Sequence, residues 1–420
     1  MRGYKSFIFT LISLFFIPAL IYARPACKDP NLALLIQKAL QCNPQIQAAR
    51  HRWLASRSAI PQASSLPDPM IEYEYRNVPV DPEMEEIPVK ESMYGVRQEI
   101  PFPGKLVVRR KIARLQSEKM CFEYHASCRM VISQLKKMYY SLYFANKSVE
   151  ILQKNKDILV QMEKVVRANY VVGKVPQQDI FRSQVEISRN QMRIIILCQE
   201  KATLAAEINK LLNCPLETPV RVSCILAITP ICDLCQLYHQ MEHCSPQFHG
   251  QLAQVEKNRK AIQLSQLDYL PDFEIGAYRI KDHAMDTEGS RVMLGATVPL
   301  YFATKQNYAV RQASFEYAAG VDDLFTTRQN LLFQIKNSVL QAERNLDLIH
   351  LLQTTIIPQG RLTWSSAQAS YGVGKVDFFT VLNSLLTLQE NEIELHREIT
   401  EHEKAVAQIE EVTGMCYEFE

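Results

Sequence analysis

The chain has 420 residues, of which 47% are hydrophobic, so it can bury a sizeable core. Only 13 residues are Gly, and these and the 20 Pro are concentrated in short segments, which argues against turn-rich folds such as β-sandwiches and propellers. The balance of 47 basic and 45 acidic residues gives no general attraction to nucleic acid.

The N-terminus has the features of an export signal. Arg2 and Lys5 precede an apolar run that ends at Ala23, which is the pattern of a cleaved secretory signal peptide over residues 1–23. The alternatives are a retained membrane anchor and lipidation at Cys27, where the preceding residues match the usual lipidation motif poorly. No other apolar run reaches the roughly 18 residues of a spanning helix. We therefore expect an exported protein that is either soluble or inserted without membrane-spanning helices.

Four short motifs occur twice in the same order, with the second copy about 200 residues after the first. The pairs are Cys42-Asn43-Pro44-Gln45 with Cys244-Ser245-Pro246-Gln247, Leu66-Pro67-Asp68 with Leu270-Pro271-Asp272, Ile100-Pro101-Phe102 with Val298-Pro299-Leu300, and Tyr170–Val175 with Tyr371–Val376. This agreement predicts two structurally equivalent halves over 24–213 and 246–414. A connector over 214–245 joins them, and residues 415–420 form a tail.

The first half is predicted to contain a helix, two strands and a helical hairpin. A helix over about 31–64 precedes two segments, about 69–77 and 92–100, in which apolar and polar residues alternate as in strands with one apolar face. The intervening residues are rich in Pro and acidic side chains, which indicates a loop. More than sixty residues with helical periodicity follow without Gly or Pro, and Gly173 then turns the chain into a second helix.

The second half repeats this order. A helix over about 246–269 precedes predicted strands over about 272–280 and 291–300, which a loop separates. A long helix over about 304–370 contains Pro358 as a candidate kink, and Gly374 marks the turn into a last helix that ends at Gly414.

Two β-hairpins with apolar outer rows cannot form a closed barrel in one chain. Open strand edges in lipid would leave backbone groups without hydrogen bonds, at a cost of several kcal/mol each. If the strands lie in a membrane, several chains must therefore share them, and three chains would supply twelve strands. The long helices are expected to pack side by side as a coiled-coil-like tube. The alternative is a small soluble sheet on a rigid periplasmic coiled-coil protein without a pore.

Several motifs resemble those of the TolC-like outer-membrane efflux channels, over about 30–414. They are Asn43-Pro44-x-Ile46-x-Ala48-Ala49, Leu66-Pro67-Asp68-Pro69, Tyr94-Gly95-Val96-x-Gln98-x-Ile100-Pro101-Phe102-Pro103-Gly104-Lys105, Tyr371-x-x-Gly374-Lys375-Val376-x-Phe378 and Glu411-x-Thr413-Gly414. The resemblance implies a mainly α-helical, duplicated protomer and a homotrimer, with a twelve-stranded transmembrane β-barrel above a periplasmic α-helical barrel. It also implies an outer-membrane exit duct for an efflux or type I secretion-like system, without cofactor or catalysis. The duct would contact a periplasmic adaptor protein, an inner-membrane pump and outer-membrane lipid. The Pro-Phe-Pro-Gly-Lys run is most similar to the cation-efflux branch.

The resemblance also implies two kinds of functional site. Both Tyr-x-x-Gly-Lys turns resemble the hairpin tips that contact the adaptor; their residues are Tyr170, Gly173, Lys174, Tyr371, Gly374 and Lys375. In TolC itself a pair of acidic residues follows the second tip and lines the closed pore, but this chain has Thr380 and Asn383 in those places. Asp179, Arg182 and Asp377 lie nearby. In a trimer either Asp could form an acidic ring at a pore constriction, or Asp179 and Arg182 could pair as exposed charges.

Eleven Cys are unusual for an exported chain. Cys224, Cys232, Cys235 and Cys244 cluster in the connector, with His239 and His243 nearby. One interpretation is a zinc or copper site, and the other is one or two disulfides formed in an oxidising compartment. The sequence contains no Gly-x-Ser-x-Gly motif and no metalloprotease His pair, so no catalytic constellation supports an enzyme.

Overall fold

The computed structural model describes residues 30–78, 89–222 and 228–414. The predicted signal peptide, Cys27, most of the loop after the first strand, Cys224 and the tail lie outside these ranges. The helices are α1 Pro30–Cys42, α2 Pro44–Ser64, α3 Lys105–Val171, α4 Gln177–Leu211, α5 Leu234–Cys244, α6 Pro246–Leu267, α7 Gln306–Leu351, α8 Ile357–Gly372 and α9 Phe378–Thr413. The strands are β1 Met70–Val78, β2 Val89–Ile100, β3 Asp272–Asp282 and β4 Thr287–Thr297.

The mainly helical, duplicated architecture predicted from the sequence is confirmed. Helix α3 has 67 residues, which at 1.5 Å per residue gives a length of about 100 Å. It packs along α2, α4, α6 and α9, and so it connects the two halves. Its buried residues form one core with α1 and α4, while α5, α7 and α9 enclose a second core.

The predicted first helix is divided at Asn43, which was not expected. The Asn43 side-chain oxygen accepts hydrogen bonds from the backbone N–H groups of Gln45 and Ile46, at 2.8 and 3.1 Å, so Asn43 caps the N-terminus of α2. Pro44 occupies the first turn of α2, where its missing N–H costs no hydrogen bond. The Asn43 amide also donates to the carbonyl of Leu211 at 2.8 Å, which joins the start of α2 to the end of α4.

The long helix of the second half also has an interruption. A π-helical turn over Leu352–Ile356 separates α7 from α8, and Pro358 lies in the first turn of α8. Pro cannot donate the hydrogen bond of a continuous helix, so the wider turn precedes it. The predicted kink at Pro358 therefore corresponds to a local change of helix type.

All four strands form one antiparallel sheet in the order β1-β2-β3-β4. Ile71 pairs with Val96, which pairs with Ala277, and Ala277 pairs with Val292, so apolar residues of the four strands lie side by side in one row. The predicted loop over 281–290 is too long, because β3 and β4 extend to Asp282 and from Thr287. Strands β1 and β4 form the two edges of the sheet.

Candidate functional site

The outward row of the sheet is apolar and exposed in the single chain. Ile71 is 83% exposed, Tyr73 70%, Val292 72% and Leu294 78%. A continuous apolar surface of this kind marks contact with lipid or another protein. Among the described residues, no helix is both long enough and apolar enough to cross a membrane.

The opposite face of the sheet carries a connected polar network. Arg97 forms ion pairs with Glu72 at 2.7 Å and with Glu274 at 3.4 Å, so it links β2 to both neighbouring strands. The Tyr278 hydroxyl donates to Glu72 at 2.7 Å across the strand between them. Gly95 makes this contact feasible, because a Cβ there would lie 2.5 Å from the Tyr278 ring and 2.3 Å from the Ala277 carbonyl oxygen. The alternation in the sequence predicted the polar face, but not these partners.

Both helical hairpins reverse through the same hydrogen-bond pattern. At the first tip, Gly173 N–H donates to the Tyr170 carbonyl and Lys174 N–H to the Asn169 carbonyl, each at 2.9 Å. At the second tip, Gly374 and Lys375 repeat these bonds with Tyr371 and Ser370. Gly173 and Gly374 have φ of 72° and 73°, so the turns are Schellman motifs that require a left-handed residue. Within the described part of the chain, no other atom lies within 4 Å of a Cβ placed at either Gly, so the tips are open to a partner.

The two tips differ in how their tyrosines pack. Tyr170 is 41% exposed, whereas the Tyr371 hydroxyl is buried and its ring lies 6.1 Å from the Phe378 ring. Phe378 is buried together with Leu159, Val166 and other apolar residues of both hairpins. One shared core therefore fixes the position of the tips relative to each other.

The five residues predicted near a constriction lie at the starts of α4 and α9, which contribute Ile180 and Phe378 to this core. Asp377 accepts hydrogen bonds from the Thr380 hydroxyl and, as the cap of α9, from the Thr380 backbone N–H at 3.0 Å, and these two contacts lower the pKa of Asp377. Asp179 is buried, and burial, with a further contribution from the Asp377 charge, raises the pKa of Asp179. The Arg182 guanidinium lies 4.8 Å from the centre of the Phe379 ring.

The alternative in which Asp179 and Arg182 pair as exposed charges is wrong in two respects. Asp179 is buried, and the two side chains form no ion pair in the described part of the chain. Asn383, the fifth candidate, is exposed on α9. The structure thus brings Asp179, Arg182 and Asp377 into one electrostatic group, while one protomer alone does not form a ring.

The connector holds the weak metal candidates. Cys232, Cys235 and Cys244 are free thiols, and Cys224 is outside the described residues, so no disulfide joins the described cysteines. The rings of His239 and His243 lie 4.3 Å apart on α5. Within 30–78, 89–222 and 228–414, no group of three or more His, Cys, Asp or Glu side chains has a metal-binding arrangement.

Sequence reasoning missed the contact that attaches the connector to α9. Both nitrogens of the fully buried His402 face backbone carbonyls, Ala342 at 3.1 Å and Thr229 at 2.9 Å. The adjacent Glu403 accepts hydrogen bonds from the Thr229 N–H at 2.8 Å and hydroxyl at 2.9 Å. No sequence spacing indicates this contact, because its partners are more than 170 residues apart.

The sequence profile described as outer membrane efflux protein matches residues 35–213 and 237–415, once on each half of the duplicated chain. The chain belongs to the outer membrane efflux protein family. A comparison with curated proteins finds no match.

Solved structures of outer-membrane channels share the fold of this efflux protein. CusC, which forms a transmembrane channel, has 14% identity and a TM-score of 0.80, with 92% of each chain covered. VceC of Vibrio cholerae has 14% identity and a TM-score of 0.79, with 91% of this chain and 96% of VceC covered. The open MtrE channel of Neisseria gonorrhoeae has 12% identity and a TM-score of 0.77, with 92% of this chain and 89% of MtrE covered.

This outer membrane efflux protein is an exit duct of a tripartite efflux system. It is located in the outer membrane and has a large helical part in the periplasm. Channels of the family are trimeric and operate with a periplasmic adaptor and an inner-membrane pump. The family is a transport family rather than an enzyme family. Assignment to the cation-efflux branch stays a prediction.

Proposed function

We propose that three copies of this chain form one continuous duct, whose sheets close a twelve-stranded barrel in the outer membrane. The open sheet carries this proposal. Its edges, β1 and β4, each leave a row of backbone groups that lipid cannot satisfy, and a neighbouring copy of the same sheet can. The exposed apolar row would then face lipid, and the network of Glu72, Arg97, Glu274 and Tyr278 would face the water-filled lumen.

The helices offer matching surfaces between copies. Exposed apolar residues follow one side of α4 at helical spacing: Phe181, Val185, Met192, Ile195 and Ile196. A second exposed apolar set lies on α7: Phe315, Phe325, Phe333 and Leu340. Long helices with such exposed rows bury them against neighbouring helices. In a trimer, α4 of one copy and α7 of the next would cover each other.

A planar lipid bilayer tests the duct directly. The purified protein, added in detergent at low concentration, should produce stepwise increases in conductance that scale with salt concentration. A folded, membrane-inserted trimer that gives no conductance above the bare bilayer would refute a pore.

We also propose that the hairpin tips contact the periplasmic adaptor of the same efflux system. Both Lys174 and Lys375 follow the left-handed Gly of an open turn, where an acidic or polar partner surface can approach the backbone. Changing both Lys174→Glu and Lys375→Glu should weaken capture of the trimer by the purified adaptor at least tenfold. Lys154→Glu combined with Lys164→Glu, at two exposed positions on the side of α3, is the matched charge control. Equal capture of both variants would exclude the tips as the docking site.

At the constriction, we propose that Asp179 and Asp377 give the periplasmic entrance a negative potential. In a trimer three copies of each Asp would surround the axis, with Arg182, Thr380 and Asn383 beside them. Asp179→Ala combined with Asp377→Ala should reduce block of the conductance by divalent cations. Unchanged conductance and unchanged cation block would refute this role.

A further inference from the structure

A buried ion pair joins the two halves of the protomer where the helices meet the sheet. Lys105, the first residue of α3, is only 3% exposed. Its Nζ lies 2.9 Å from each carboxylate oxygen of Asp272, the first residue of β3, and 3.4 Å from Asp268. The Phe102 N–H donates to the same Asp272 carboxylate at 2.7 Å. We call the Lys105–Asp272 contact the junction clasp.

Sheet pairing places the two clasp residues together. Ile100, at the end of β2, pairs with Phe273, near the start of β3. The chain then turns through Gly104, with φ of 105°, so that α3 starts beside the residue preceding Phe273. The clasp therefore belongs to the β2–β3 pair, where the strand that leads into α3 lies next to the strand that begins at Asp272.

The duplication supplies a second set of the same parts. At the start of the strands, β1 follows Leu66-Pro67-Asp68, and β3 begins at the Asp of the corresponding motif Leu270-Pro271-Asp272. At the end of the strands, β4 precedes Val298-Pro299, which corresponds to Ile100-Pro101 at the end of β2. Lys305 directly precedes α7, in the place that corresponds to Lys105. Yet Asp68 and Lys305 are both exposed, and neither forms an ion pair in the described part of the protomer.

The unpaired set lies at the two open edges of the sheet. Asp68 precedes edge strand β1, and Lys305 follows edge strand β4, so the two residues can meet only when β4 of one copy pairs with β1 of another. In the duplication, β4 corresponds to β2 and β1 corresponds to β3. If β4 of one copy pairs with β1 of another in the register that β2 has with β3, Val292 lies opposite Tyr75 and Val298 lies opposite Pro69. Val292 and Tyr75 both belong to the exposed apolar row, so this register keeps that row continuous.

We propose that Lys305 of one copy binds Asp68 of the neighbouring copy, as a junction clasp between protomers. This inference rests on the proposed homotrimer, in which three clasps within protomers would alternate with three between them. The contact between copies has one carboxylate fewer, because Ser64 occupies the position that corresponds to Asp268 beside Lys105. The segment between the end of the strand and the Lys is also two residues longer before Lys305 than before Lys105. It is therefore the weaker of the two clasps. The partner that completes this clasp is a second copy of this chain.

A charge exchange tests the clasp in the full-length trimer. Lys305→Glu or Asp68→Lys alone places like charges together, so each should increase the rate of trimer dissociation in detergent about tenfold or more. Native mass spectrometry at successive times measures this rate. The double variant restores an opposite pair and should return the rate to within about threefold of the unmodified protein. Lys375→Glu combined with Asp68→Lys is the matched control and should not restore it.

The outcomes separate this inference from the proposed homotrimer. An unmodified protein that is monomeric in detergent contradicts the trimer itself. A stable trimer in which both single changes are harmless, or in which the double variant is no better than the single ones, overturns the clasp alone.

A second measurement does not depend on how the variants fold. Trimers reassembled from light and heavy isotope-labelled chains are treated with a carbodiimide, which joins a Lys to a carboxylate in direct contact. Products that join Lys305 to Asp68 should include pairs of one light and one heavy peptide, whereas Lys105–Asp272 products should always carry a single label. If no Lys305–Asp68 product combines the two labels, or if no such product appears beside a Lys105–Asp272 product, the proposal is overturned.

Discussion

Gly414 ends α9 in a conformation that a side chain would disrupt. Its φ is 77°, and its N–H donates to the Glu410 carbonyl at 3.2 Å. A Cβ at this position would lie 1.9 Å from a guanidinium nitrogen of Arg129 and 2.4 Å from the carbonyl oxygen of Cys244. The Arg129 side chain can move, but Cys244 contributes backbone at the α5–α6 junction. Gly414→Ala should therefore displace the end of α9 from that junction.

The magnitude follows from two contributions. An L-residue in the left-handed region costs about 1–2 kcal/mol, and forcing an extra carbon into a packed site adds about 1–3 kcal/mol. The free energy of local opening should thus fall by about 2–5 kcal/mol. Gly374 has a similar left-handed φ but lies in open space, so Gly374→Ala should lower the free energy of local opening by only about 1–2 kcal/mol. Gly372→Ala, in open space at the end of α8, should be neutral or up to about 1 kcal/mol stabilising.

Amide hydrogen exchange of the purified protein measures these local differences. For Gly414→Ala, exchange in the last turns of α9 and in α5 should accelerate about thirty-fold or more, since 1.36 kcal/mol corresponds to a factor of ten. For Gly374→Ala, acceleration should be smaller and confined to the second tip. If Gly414→Ala accelerates exchange no more than Gly374→Ala does, the contact with the Cys244 backbone does not contribute, and the reasoning is refuted.

Three further changes test the tips and the sheet. Phe378→Ala removes a side chain that is 2% exposed and should destabilise the tips by about 3–5 kcal/mol, whereas Phe379→Ala, at 50% exposed, should have a small effect on thermal melting. Burial raises the pKa of Asp179 above that of free Asp, about 3.9. The protonated carboxyl therefore stabilises the folded state at pH values below the pKa of free Asp, and this contribution is lost as the pH rises through the raised pKa. Asp179→Asn should raise the melting temperature at neutral pH and not near pH 3. Tyr278→Phe removes a hydrogen bond to the charged Glu72 carboxylate and should lower the temperature at which the sheet unfolds, measured by electrophoretic mobility after heating.

Each of these predictions has an outcome that contradicts it. Equal melting temperatures for Phe378→Ala and Phe379→Ala would show that the shared core does not fix the tips. An Asp179→Asn effect that is the same at pH 3 and pH 7 would exclude titration of Asp179 as its cause. Unchanged heat stability of Tyr278→Phe would mean that the contact with Glu72 does not stabilise the sheet.

Much of the architecture follows from local patterns in the sequence. The stretch from Lys105 to Tyr170 lacks Gly and Pro and has helical periodicity, so one long helix was the expected result. The alternation around Tyr73 and Tyr94 specified which strand face is apolar, because side chains on a strand alternate strictly. The repeated Tyr-x-x-Gly-Lys motif located both hairpin turns, since each turn needs a residue with positive φ.

The remaining features depend on contacts between distant segments. The Asn43 amide donates to the carbonyl of Leu211 on α4, which a local pattern cannot show. The buried environment of Asp179 arises from packing of both tips, and exposed charges were the simpler expectation. His402 gave no signal, because its partners are backbone carbonyls of α7 and the connector. Local periodicity specifies elements, while polar partners are specified by the assembled fold.

The most direct test of a three-copy duct is the native mass of the protein extracted from outer-membrane fractions. We expect the chain to sediment with the outer membrane and to have a detergent-corrected mass equal to three mature chains. A monomer that remains in the soluble periplasmic fraction would contradict it, because water rather than neighbouring copies would then satisfy the edges of the sheet.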